Sequence, residues 1–343
     1  MHSPQSLLLC SFRTPAQANV REVRQREPQL APTEVSAETA RMDEGKMHAD
    51  EVVTSASLVG QLMEQFPQWA HLPITPVLSA GTDNALYRLG SDMVARLPRI
   101  EDAASKVQNE HRCLPKLAPQ LPLSIPTPLE VGVPAHGYPW AWSVYRWIEG
   151  ENATLDSLTD PREAAADLGR FVAALQRIDT TGGPAPGEHN SWRGESLTLR
   201  DEGTRDAIDS LRGVIDTDAA TDAWEEAMLA PAWKGSPVWL HGDLQAGNLL
   251  ATDGRLSAVI DFGCVGVGDP ACDVMAAWMY LTSGTRGAFR EQLSLDEATW
   301  ARGRGWALSV GVVALPYYET TNPFLADIAR RAIDEVLSDG RAT

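Results

Sequence analysis

The chain has 343 residues, 43% of them hydrophobic, enough for a sizeable core and long enough that two lobes or domains are expected. Lys and Arg number 29 against 46 Asp and Glu, a net of −17, which argues against a nucleic-acid partner because phosphate binding needs a basic face. A cationic small molecule stays open as a partner, since a cleft lined by one sign of charge concentrates the other.

Residues 1–48 are polar and charged, without a sustained apolar period, and read as a disordered tail. Met42 and Met47 offer alternative starts of translation just before the first apolar pattern. SLLLC (6–10) is too short for a signal segment, and no run approaches the ~18 apolar residues of a membrane span. Cys10, Cys113, Cys264 and Cys272 form no CxxC pair and no zinc spacing, so a reduced, cytoplasmic chain is expected, with no membrane partner.

Residues 50–70 offer Val53, Leu58, Leu62 and Phe66 to one helical face. From 73 to 100, ITPVLSAG, ALYRLG and MVARLP read as short strands separated by turn residues. A helix is expected over 104–118, then a strand pair in TPLEVGVP and WAWSVYRWIEG. Past Gly150 helices are expected at 161–178, 202–212 and 219–229, a hairpin at 238–260, then helices at 270–282, 296–314 and 324–338. The fold class implied is α+β: a small sheet-bearing lobe over 49–149 followed by a mostly helical lobe over 150–343.

The informative stretch is WLHGDLQAGNLLATDGRLSAVIDFG (239–263). TDG turns the chain between NLLA and SAVI, so Asp243 and Asn248 precede the hairpin and Asp261 leaves its far end beside Asn248. Three oxygen-bearing side chains converge, and hard oxygen donors of this kind suit Mg²⁺ completed by water and phosphate. Singly, each of these residues reads as a turn cap. Together, the spacing D-x-x-x-x-N followed by a strand ending D-F-G is the kinase arrangement, with one Asp to accept a hydroxyl proton and an Asn and a second Asp for metal.

HGDLQAGNLL with IDFG, then GVGDPACDVMAAW, resembles the aminoglycoside phosphotransferase family of kinase-like enzymes over roughly residues 55–340. The family includes kinases of aminoglycosides, macrolides and small metabolites. The resemblance implies a protein-kinase-like two-lobed fold, ATP or GTP as donor, and Mg²⁺ on Asn248 and Asp261, with Asp243 as base. It further implies that LSAGTDNALYRL is a phosphate loop in which Gly81 and Thr82 meet the phosphates. Arg96 stands where such enzymes carry a lysine, and can hold phosphate oxygens with its planar fork; the alternative is an exposed strand residue. Glu110 resembles the partner of that cation, with a solvated helix glutamate as its alternative. By the same resemblance the Arg146 C=O and Ile148 N–H read the base, and Tyr145 lines the pocket behind it. His241 reads as a residue packing the loop, Asp269 and Asp273 as helix caps, and Trp140, Trp142 and Trp147 as packing.

The acceptor is expected to be a small molecule with a hydroxyl group. Residues 151–343 hold 30 Asp and Glu against 16 Lys and Arg, which suits a cationic aminoglycoside. Trp192, Trp224, Trp233, Trp278, Trp300 and Trp306 leave an apolar macrolide pocket, or a metabolite kinase, as the alternative. Two readings outside the family are a metallophosphoesterase, which needs more histidines in motif context, and an inactive nucleotide-binding module, which would have lost a metal ligand.

Overall fold

The computed structural model describes residues 51–79 and 81–340, and the tail expected at 1–48 lies outside them. Helix α1 (Ala56–Leu62) starts at Ser55, whose hydroxyl accepts from the Leu58 N–H. It tightens into one 3₁₀ turn at Met63–Gln65 and stops before Pro67. The helix is shorter than the apolar pattern suggests because the Val52 N–H is bonded to the Arg99 carbonyl at 2.8 Å, away from any helical partner.

Five antiparallel strands follow: β1 (Ile74–Val77), β2 (Asn84–Leu89), β3 (Met93–Pro98), β4 (Pro128–Gly132) and β5 (Trp142–Arg146), in the spatial order β1-β2-β3-β5-β4. Period-two alternation sends Ala85, Tyr87 and Leu89 inward from β2, and Met93, Ala95 and Leu97 from β3. On β3 that leaves Val94 and Arg96 on the other face. Helix α2 (Glu101–Leu117) connects β3 to β4. Its buried stripe includes two charged residues, Lys106 and Glu110, and a helix buries charge only where partners await it.

A two-residue strand, β6 (Glu151–Asn152), leads into helices α3 (Pro161–Gln176), α4 (Asp201–Ser210) and α5 (Thr217–Leu229). Asp160 caps α3 through the N–H groups of Arg162 and Glu163, with Pro161 preset for the first turn. The segment 238–268 is not one hairpin from its start. Strand β7 (Val238–Leu240) pairs instead with β10 (Gly266–Gly268), while β8 (Leu249–Thr252) and β9 (Arg255–Val259) form the hairpin. Asp253 and Gly254 both take positive φ, 51° and 71°, which a two-residue turn of the primed kind requires.

The helix expected over 270–282 is two short pieces, α6 (Ala271–Val274) and α7 (Ala276–Met279), followed by an unforeseen α8 (Ser283–Arg290). Helices α9 (Glu297–Tyr318) and α10 (Pro323–Gly340) complete the chain. The apolar residues form two separate clusters. One lies under the sheet around Val59, Leu62, Ala95, Trp142 and Val144. The other fills the helical part around Phe171, Trp239, Trp278, Trp306 and Leu315. The fold is α+β and two-lobed, as expected. Among the described residues no helix is long and apolar enough to cross a membrane. Cys113 and Cys272 are free and buried.

Candidate functional site

A cavity of ≈ 350 Å³ lies between the sheet and the helical part. Its walls include Gly81, Thr82, Arg96, Tyr145, Arg146, Ile148, Asp243, Asn248 and Asp261, so nine of the ten site residues read from the sequence line one space. The tenth, Glu110, is buried behind Arg96.

On the sheet side, Arg96 spans two carboxylates. Its Nη1 donates to both oxygens of Glu110, at 2.7 and 2.8 Å, and its Nη2 donates to Asp261 Oδ1 at 2.6 Å. Tyr145 Oη donates to Glu110 Oε2 at 2.5 Å, so the residue expected behind the base also holds the glutamate. Burial works against the Arg96 charge, but Glu110 and Asp261 outweigh it and hold the guanidinium pKa above its ordinary value. Neither bland alternative fits, since Arg96 is largely covered and Glu110 is buried.

On the helical side the geometry is set by backbone. The Ile260 N–H donates to the Asn248 carbonyl at 2.8 Å, which brings Asp261 beside Asn248. Asn248 Nδ2 donates to the backbone oxygen of Asp243 at 2.8 Å and to its Oδ2 at 2.9 Å. With both amide hydrogens spent, its Oδ1 is the atom able to meet a cation. Asp261 sits at φ 60°, ψ 71°, a left-handed conformation that costs a non-glycine residue energy and is concentrated at functional sites.

Asp243 is 4% exposed. Burial raises its pKa to about 6, with Asp261 adding to the shift and Arg193, Asn248 and Lys106 opposing it. Its loop is held from beneath by Asp273, whose two oxygens accept the N–H groups of His241 at 2.8 Å and Gly242 at 2.7 Å. Gly242 takes φ +85°, and a Cβ there would come within 2.8 Å of the Cys264 carbonyl, so glycine is required. His241 packs edge-on against Phe262 at 4.6 Å, its Nε2 meets the Ile260 carbonyl at 2.9 Å, and its Nδ1 accepts the Asp243 N–H at 3.1 Å. Burial lowers its pKa to about 4, so it stays neutral and structural, as expected.

Some residues differ from expectation. Asp273 does more than cap a helix, because it carries the backbone of the candidate catalytic turn. Asp269 caps Ala271 at 3.0 Å but is chiefly paired with Arg302, at 2.8 and 3.1 Å, which ties it to α9. Thr82 is buried and hydrogen-bonds Tyr318 at the end of α9, while Gly81 N–H donates to Ser79 Oγ at 3.1 Å. Of the six tryptophans considered for an apolar pocket, none lines the cavity; Trp224, Trp278 and Trp306 are core residues. Arg193 escaped sequence reading. Its Nε donates to the Gly242 carbonyl at 2.7 Å from 49 positions away, and no local pattern marks it.

Mg²⁺ fits the donor set. Asn248 and Asp261 line the cavity with hard oxygens of the kind Mg²⁺ takes beside water and substrate phosphate.

The family model described as "Phosphotransferase enzyme family" matches residues 75–306. Among solved structures, the GDP and kanamycin complex of APH(2")-IIia is 20% identical, with a TM-score of 0.64, covering 83% of this chain and 99% of that one. Macrolide 2'-phosphotransferase type I is 18% identical with a TM-score of 0.54, over 82% and 98%. The apoenzyme of macrolide 2'-phosphotransferase MphH from Brachybacterium faecium is 23% identical with a TM-score of 0.51, over 78% and 97%. No curated protein matches the sequence. With its sheet lobe, its D-x-x-x-x-N loop and its DFG aspartate in one cavity, the chain belongs to the phosphotransferase enzyme family.

Proposed function

We propose that the protein is a small-molecule kinase that moves the γ-phosphate of Mg²⁺-bound ATP or GTP to a hydroxyl of its acceptor. The observation that carries this reading is the convergence of Asp243, Asn248, Asp261 and the Arg96–Glu110 pair on one cavity. A relative of the same fold was solved with GDP and kanamycin, which supports a nucleotide donor and a hydroxyl-bearing acceptor.

Asn248 through Oδ1 and Asp261 through its carboxylate would hold Mg²⁺, which when bound neutralises charge on the phosphates. Arg96, fixed by Glu110, adds positive charge on the sheet side, while the Arg146 C=O and Ile148 N–H read the base and Gly81 and Thr82 shape the phosphate loop. The acceptor hydroxyl sits at Asp243. Its oxygen bonds to the γ-phosphorus, its proton passes to the Asp243 carboxylate, and the bond from phosphorus to the β–γ bridging oxygen breaks with its electron pair leaving on the nucleoside diphosphate. Positioning and electrostatics do most of the work in such a transfer.

The test is phosphate transfer from ATP and GTP to a panel of aminoglycosides, macrolides and neutral alcohols, followed by ³¹P NMR. Asp243→Asn should lower turnover by on the order of 10² or more with nucleotide affinity retained. Near-normal turnover in that variant rejects Asp243 as the base.

A further inference from the structure

We propose that Lys106 is a second phosphate-binding cation of this site, one that exchanges its bond to Asp83 for an oxygen of the nucleoside triphosphate. The inference rests on the kinase reading above and concerns a residue that nothing in the sequence motifs marks.

Lys106 lies on α2 one turn before Glu110, so the helix that anchors Arg96 carries a second charged side chain on the same face. The side chain is 6% exposed. A lysine is buried to that degree only where negative charge surrounds it. Here the surroundings are the working parts of the cleft. The ammonium group meets Asp102 at 2.9 Å on its own helix and Asp83 at 3.5 Å in the phosphate loop. Its stem runs over Gly263, directly after Phe262: a Cβ on that glycine would lie 3.3 Å from Lys106 Cδ and 4.0 Å from Arg96 Nη2. The stem of Lys106 and the guanidinium of Arg96 therefore pass the same point beside Asp261. Lys106 also feels the charge of Asp261 and acts on that of Asp243, so it stands within the field of loop, metal carboxylate and base together.

These two contacts of the ammonium group differ in kind. The Asp102 bond is short and local to the helix, whereas the Asp83 bond is long and reaches a loop that also satisfies its carboxylate internally, Thr82 Oγ1 donating to Asp83 Oδ1 at 3.0 Å. The second contact is the one a phosphate oxygen can replace. Arg96 is already committed to Glu110 and Asp261 through both of its Nη atoms, which leaves Lys106 as the nearby cation with an exchangeable partner. In the exchange Asp102 keeps the ammonium group in place.

Calorimetry on the folded protein tests this with Mg²⁺ and non-hydrolysable ATP and GTP analogues, and with the bare nucleosides. Lys106→Met should weaken triphosphate binding by about tenfold or more, as loss of a charge-assisted bond does, and leave nucleoside binding unchanged. Asp83→Asn, which frees the ammonium group from its competitor, should bind triphosphate as well as or better than the parent. The double variant should be as weak as Lys106→Met. Equal weakening by both single variants would make the pair a structural clasp and overturn the proposal, as would parent-like binding in Lys106→Met. If Lys106→Met does not fold, Asp83→Asn decides alone: binding weakened tenfold overturns, binding retained or tightened supports. A parent that binds neither analogue refutes the kinase reading itself, before any variant is compared.

Discussion

On the sheet side of the cleft, Arg96 is held by Glu110 and Asp261 and Glu110 by Tyr145, all through side chains that meet from separate elements. On the helical side, Asp273 holds the turn of His241 and Gly242 through backbone N–H groups, and Ile260 holds Asn248 through a backbone bond just beyond the hairpin strands. The first wall is an ion-pair network, in which removing one member strands a buried charge. The second is a folded loop, in which removing one member loosens a geometry but leaves most backbone bonds in place. Mutations on the two walls should therefore fail differently, in stability on one side and in turnover on the other.

The largest expected effect is on the sheet side. Arg96→Met keeps the length of the stem but leaves Glu110 buried without its cation, a change that costs roughly 3–5 kcal/mol when one partner of a buried pair is lost. Thermal denaturation should show the loss directly, and nucleotide affinity should fall with it. Pairing Arg96→Met with Glu110→Gln should restore part of the stability, because the stranded charge is then gone. A drop in affinity with stability intact would mean that the wall is not the network described.

Asp273→Asn probes the other wall and should act on turnover. The new amide puts an N–H₂ group against the N–H of either His241 or Gly242, so one backbone donor loses its acceptor. Asp243 would shift by tenths of an ångström, and misplacement of that kind is expected to lower kcat by roughly tenfold with nucleotide binding unchanged. Steady-state kinetics and calorimetry separate the two. A large loss of nucleotide affinity would mean that the helical wall supports the phosphates as well.

The same contrast explains what could be read in advance. The helical wall is written within 25 consecutive residues, so the spacing of Asp243, Asn248 and Asp261 around one hairpin made their convergence legible. Strand alternation likewise exposed the sheet lobe, because Ala85, Tyr87 and Leu89 mark one face by period alone. What joins distant elements was not legible. Arg193 reaches the Gly242 carbonyl from a loop, Asp273 turns back onto a backbone 31 and 32 residues earlier, and Lys106 on α2 meets Asp83 in the loop before β2. No periodicity records such contacts. The pairing of β7 with β10 escaped for the same reason, since three-residue strands carry too few side chains to declare a partner.

The smallest expected effect is the pH dependence set by Asp243. Burial raises its pKa from 3.8 to about 6, and Asp273 is raised to about 6 by the same cause. A base works deprotonated, so kcat/KM should be full above neutrality and fall as pH drops through about 6, by several-fold between pH 7 and pH 5.5. Stability runs the other way. An acid whose folded pKa is raised contributes stability that is complete below its unfolded pKa near 3.8 and lost as pH rises through about 6. Asp243→Asn removes that loss, so at pH 7 it should be more stable than the parent by about 1–3 kcal/mol while transferring almost no phosphate. Its advantage should vanish near pH 4, where the parent carboxyl is protonated. Because Asp243 and Asp273 interact, the acid limb belongs to the pair. Asp273→Asn should therefore move the limb to lower pH, since Asp243 then ionises without a second buried carboxylate nearby. Turnover profiles of the two variants alongside urea denaturation at pH 4 and pH 7 check each step. A parent limb near pH 4 would show that Asp243 is solvated, and would place the candidate base outside the buried loop described.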